Sequence, residues 1–216
     1  MPNFDLSISR KLPIAVVALA ALTVLVSGVL SYNKSNDQSV AAAQDKLTAL
    51  VGARRAALSS YLGSIREDLV TLATSHMTVR AMSAFETGYA AFGTQPTAAL
   101  QKLYITDNPH PLGEKHKQTM ASNVSAYSQT HGAYHPRFRQ FLEARGYYDI
   151  FLSNKEGDIV YTVFKELDYA TNLMSGQWRG SDSGDIFRGA AQNKVPGSVT
   201  FFDFAPYAPS NDAPAS

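Results

Sequence analysis

Residues 12–33 carry no charge, and residues 12–30 are mostly Ala, Val and Leu, directly after Arg10-Lys11. Nineteen helical residues at 1.5 Å each span about 28 Å, close to the roughly 30 Å of a bilayer's hydrocarbon core. A cleaved signal peptide competes for this stretch, but its apolar region is usually shorter. Ser27-Gly28-Val29-Leu30-Ser31 is also a poor small-residue cleavage site. The expectation is a transmembrane helix over 12–33. Because the basic pair sits on the short amino-terminal side, residues 1–11 are placed in the cytoplasm and the chain beyond the span outside it.

Residues 35–85 contain no proline and repeat apolar side chains at Leu47, Leu50, Val51, Leu58, Tyr61, Leu62, Ile65, Leu69, Leu72, Val79 and Met82. Spacings of three and four predict one long amphipathic helix whose seam packs on a second helix or a second subunit. Gly52 and Gly63 each cost that helix about 1 kcal/mol relative to Ala, and either permit close helix approach or are simply tolerated. Gly88, Gly93 and Pro96 close the helix and open a short one through Ala98, Leu100, Leu103 and Tyr104. Residues 106–113, with two prolines, form a loop. Tyr127, His131, Tyr134, Phe138 and Phe141 then predict a helix over 124–145, broken or kinked at Pro136 and stopped at Gly146.

That helix leads into residues 147–173, which read as a β-hairpin. Ile150-Phe151-Leu152 is one strand, Asn154 to Asp158 supplies the turn with Gly157 free to take positive φ, and residues 159–164 are β-branched or aromatic. Ile159, Tyr161 and Val163 face one way; Val160, Thr162 and Phe164 face the other. Both faces are mostly apolar, so one is expected against helices and the other around something enclosed. Downstream, Asp182 or Ser183 caps a helix carrying Ile186, Phe187, Ala190 and Ala191, and residues 198–204 read as a third strand.

The run D-I-F-L-x-x-x-x-G-D-I-V-Y-T-V-F-K-E-x-D-Y-A-T-N-L resembles the first hairpin of the PAS-like (Cache-type) extracytoplasmic sensor of bacterial methyl-accepting chemotaxis proteins. Asn108-Pro109-His110-Pro111 with Gly113-Glu114-Lys115, and Phe202-Asp203-Phe204-Ala205-Pro206-Tyr207, are similar to the segments flanking it. The resemblance covers about 104–214. It implies an α+β chain: a cytoplasmic tail (1–11), a transmembrane helix (12–33), an extracytoplasmic helical region (34–146) and a PAS-like antiparallel sheet lobe (147–216). A PAS-like sheet has five strands, so that lobe is expected to be incomplete and the chain to be the amino-terminal part of a receptor, single-pass in the inner membrane. The Arg-x-Trp-Tyr type motif of family members that take amino acids or amines is replaced here by Arg137-Phe138-Arg139-Gln140, so the ligand class does not carry over.

A net charge of +1 with dispersed Lys and Arg excludes a basic stripe for nucleic acid, and the lack of cysteine excludes disulfides, thiolate metal sites and cysteine nucleophiles. No serine-nucleophile motif, phosphate loop, cofactor motif or paired catalytic carboxylates stand out, so no enzyme is expected. His131 and His135 have the i, i+4 spacing of a helical metal pair, but no Asp or Glu completes a set, and a core role is the reading taken. Binding is the better proposition. Tyr148, Tyr161, Tyr169, Trp178 and Tyr207 with Arg179, Asp182 and Asp203 offer aromatic walls and a few charges for a small polar ligand. Of these, Trp178, Arg179, Tyr161, Tyr169, Asp203 and Tyr207 are the candidate ligand residues, although core packing competes for each aromatic. Trp178-Arg179 draws most attention, since it is placed in a loop. The reading is a ligand-sensing, homodimeric chemotaxis receptor region. Its alternatives are the sensor of a diguanylate or adenylate cyclase or histidine kinase, and a surface protein with no ligand.

Overall fold

A computed structural model describes residues 8–193, 195–203, 205–210 and 213–215. The chain is α+β and divides into two units, Met1–Ser64 and Ile65–Ser216. The first unit is helix throughout its described residues, forming most of α1 (Ile8–Thr74). Every side chain over 11–64 is exposed. Its most apolar stretch has a mean hydropathy of 2.5, making α1 long and apolar enough to cross a membrane.

The helix expected over 35–85 is interrupted. α1 ends at Thr74 and α2 (His76–Ala90) begins anew, because Ser75 turns extended (φ −65°, ψ 141°) and its hydroxyl accepts the Thr78 amide. That N-cap bond satisfies a donor the helix start would otherwise leave bare. α3 (Pro96–Gln101) follows, with Pro96 in its first turn, and continues as a π-helical turn through Lys102–Thr106. After an irregular loop, α4 (Ala126–Arg145) is capped by Ser125 and ends at Gly146. It runs through Pro136 as one helix, so of the break or kink expected there the break does not occur. His135 and Phe138 on either side are wholly buried, so packing outweighs the one backbone bond proline forgoes.

The hairpin forms as expected, with β1 (Phe151–Ser153) antiparallel to β2 (Ile159–Thr162) and Gly157 at φ 89° in its turn. All four β2 residues are buried. One face meets α2 and α4, where Tyr161 stacks on Phe85 at 4.7 Å and lies 5.1 Å from Phe138. The second edge of β2 is taken by the returning chain, through the Asp158–Asn172 bridge and the Ile159 amide on the Thr171 carbonyl at 2.9 Å. The strand expected over 198–204 is absent from its described residues, 198–203; Phe204 lies outside them. α5 (Asp182–Gln192) follows Ser181 rather than the expected cap at Asp182 or Ser183, so it begins one or two residues earlier, with Asp182 in its first turn. A separate pair, β3 (Ala205–Tyr207) and β4 (Ala213–Ala215), is antiparallel.

Candidate functional site

The chain leaves β2 through a turn, residues 165–170, whose ends are the two non-glycine residues of positive φ among those described, Lys165 and Ala170, each at 63°. A left-handed non-glycine residue costs on the order of 1 kcal/mol or more, and such positions persist only where surrounding contacts hold them. The contacts here are polar and buried. The Lys165 amine donates to the Thr162 carbonyl and stands 4.5, 5.2 and 5.8 Å from the ring centres of Tyr161, Tyr169 and Tyr104. Three rings around one ammonium stabilise it through their negative faces. Burial nonetheless pulls its pKa down. Asp149, at the entry to β1, accepts the Ile150, Val163 and Phe164 amides. Burial raises its pKa, while the Ile150 amide, the Lys165 charge and the Val163 amide oppose the rise.

Beyond the lysine the turn is acidic. Asp168 is fully buried and takes the Tyr207 hydroxyl on one oxygen, while Oδ1 has no hydrogen-bond partner. Burial pushes its carboxyl up to about 6, and the nearby Glu166 charge adds to the shift. Glu166 takes the Tyr148 hydroxyl at 2.9 Å, and its Oε2 is enclosed without a partner. Its pKa too is raised by burial. Between them, the Leu167 carbonyl accepts the Trp178 indole N–H at 3.2 Å.

Four of the six candidate ligand residues therefore gather on this turn. Tyr161 and Tyr169 cage the lysine; both are fully buried, and Tyr169 donates to Tyr127, which in turn donates to the Val160 carbonyl. Tyr207 holds Asp168, and Trp178 holds the turn's backbone. Arg179 is exposed and lends its carbonyl to the Arg188 guanidinium; Asp203 is exposed as well. Asp182 lies in the first turn of α5. The sequence reading passed over Glu166 and Asp168. Their signal was present only as charges at Lys165, Glu166 and Asp168 directly after the mostly apolar run 159–164, a pattern that a solvated turn shows equally well.

No family model, curated protein or solved structure matches this chain. The site is thus read from its own chemistry. Two open depressions lie elsewhere: one of about 610 Å³ lined by Leu72, Met77, Tyr134 and Phe141, one of about 640 Å³ lined by Asp107, His110, Lys117 and Thr119.

The histidine pair belongs to the core. The rings of His131 and His135 stack at 4.3 Å. His135 Nε2 lies 2.6 Å from the His116 carbonyl, so that nitrogen carries the proton and Nδ1 accepts the Tyr161 hydroxyl at 2.7 Å. By the same reasoning His131 donates from Nδ1 to the Thr119 carbonyl at 2.6 Å. Neither lone pair arrangement leaves His135 a nitrogen for a metal. Burial holds both rings neutral, lowering His135 to about 3 and His131 well below its ordinary value.

Proposed function

We propose that the chain is the membrane-anchored, ligand-sensing region of a bacterial chemotaxis receptor, with residues 1–11 in the cytoplasm, residues 12–33 crossing the inner membrane, residues 34–146 forming an extracytoplasmic helical region and residues 147–216 a PAS-like lobe. The observation that carries the reading is the 165–170 turn: a strained segment with Lys165 and Asp168 buried in it, set among aromatic side chains directly after the mostly apolar strand of the hairpin. Strain of this kind persists where a ligand clamp or switch requires it, and a few convergent polar groups on apolar walls are the usual make-up of a small-molecule site. The exposed apolar residues Val51 and Leu58, one heptad apart on α1, support a homodimer.

The test uses the full chain in lipid nanodiscs, screened by thermal shift against a metabolite library. A ligand that raises the melting temperature, and whose affinity falls on Trp178→Ala, is the expected result. A library without any stabilising compound would remove the sensing reading. For the topology, a reporter fused after Ser216 should be active outside the cytoplasm; activity confined to the cytoplasm would refute the orientation.

A further inference from the structure

Residues 107–124 join the π-helical turn to α4, and their only regular structure is a single 3-10 turn at Lys115–Lys117. Connections this long without secondary structure are uncommon in compact domains and are usually functional. The loop is nonetheless held in place. Asn108, 6% exposed, donates to the Tyr104 and Lys115 carbonyls at 2.8 and 3.0 Å and accepts the His110 amide at 3.0 Å, while the Lys115 amine returns to the Asn108 carbonyl. From α4, His131 and His135 bond the Thr119 and His116 carbonyls. The buried histidine pair thus pins this loop to the core, and a site built on it would be preorganised.

The depression of about 640 Å³ lies on this loop, within the roughly 300–1,000 Å³ of small-molecule sites. Its carboxylate and its lysine are already paired, Asp107 with Lys102 at 2.6 Å and Lys117 with Glu114 at 2.9 Å, so an ionic ligand would have to compete with an ion pair. No Phe, Tyr or Trp is among the described residues lining it, so a flat aromatic ligand finds no ring to stack on except that of His110. The Gln118, Thr119 and Ser122 side chains have no partner among the described residues, and Leu103, Pro109 and Met120 supply apolar wall. We propose that this depression binds a neutral polyol, a mono- or disaccharide, whose hydroxyls bond Gln118, Thr119 and Ser122 while the C–H face of its ring lies on the apolar wall. Sugar hydroxyls both donate and accept, as do two hydroxyls and an amide. Gln118 Oε1 is enclosed, but with neither end of the amide bonded, rotation about its last torsion turns it to the ligand. The site shares no residue with the 165–170 turn and goes beyond the sensing reading drawn there.

The full chain in nanodiscs is titrated by calorimetry with glucose, trehalose and myo-inositol, and in parallel with sodium phosphate and dextran. At least one of the three polyols should bind and raise the melting temperature. Thr119→Ala and Ser122→Ala should each weaken it about two- to tenfold, the loss of one neutral hydrogen bond, and the double variant about five- to a hundredfold. Both residues are exposed, so the variants should melt with the parent. Phosphate binding without any polyol, polyol affinity unchanged in the double variant, or no binding at all overturns the proposal. Dextran separates a free sugar from a glycan chain, and binding of dextran with none of the free polyols overturns it too. A polyol whose affinity falls on Trp178→Ala and not in the double variant belongs to the 165–170 turn, which sinks this site while supporting the sensing reading.

Discussion

His135 is held neutral in the fold, at about 3 against an ordinary value near 6.5. Between those values the unfolded chain binds a proton that the folded chain refuses, so stability falls as pH drops through that window, by on the order of 5 kcal/mol for this ring. His131 acts in the same direction. Asp168 opposes them. Its folded value of about 6 exceeds the ordinary 3.8, so the folded chain holds the extra proton and gains on the order of 3 kcal/mol as pH falls from 6 to 4. Asp149 and Glu166, whose pKa values burial also raises, act with Asp168, so the decline that the two rings cause below about pH 6.5 is opposed by three carboxyls. Urea melts from pH 7.5 to 4.5 measure this directly. His135→Gln should flatten the decline, and an unchanged slope would assign it to other groups. None of this was legible in the sequence, where His131 and His135 show only their spacing. Their tautomers depend on the Thr119 and His116 carbonyls, which a loop delivers from outside α4.

At the scale of elements, α2 and α4 pack closely enough that a methyl on Gly88 would lie 2.8 Å from the Tyr127 Cα. Backbone cannot yield there, so Gly88→Ala should cost about 1 to 3 kcal/mol of overpacking although alanine favours helix by about 1 kcal/mol. Gly52 and Gly63 are the contrast, with nothing within 4 Å of an added methyl. Gly52→Ala and Gly63→Ala should each raise helix stability by about 1 kcal/mol; a loss at either would reveal a second helix pressed against that glycine. Denaturant melts of the three variants decide. Ile159→Ala, at a fully buried β2 position, should cost about 2 to 5 kcal/mol through the cavity it leaves. The hairpin was legible because its signals are local: Asn154 and Gly157 in the turn, then four strand-forming residues. The Ser75 break was not, since a serine within an unbroken apolar periodicity reads equally well as helix interior. The strand expected over 198–203 had strand composition, but a ladder also needs a partner edge brought to it by the rest of the fold, which local composition does not specify.

For the whole molecule, Leu22 and Val24 are 59% and 71% exposed on α1, apolar surface that lipid would cover. Leu22→Arg should disfavour insertion by about 2.5 to 3.5 kcal/mol, read as a smaller share of the chain retained in membranes after alkaline extraction. Retention equal to the parent would show that this helix is not the anchor. The core that joins α2 to the hairpin also sets an order of events. Tyr89 donates to the Ala170 carbonyl 81 positions later, and Phe85 stacks on Tyr161. Chain emerges from the ribosome at roughly 5–20 residues per second, so α2 waits on the order of 4 to 16 s with Ala81, Phe85 and Tyr89 uncovered. During biosynthesis the apolar face of α2 is therefore a natural client for a chaperone, until the 165–170 turn arrives to close over it.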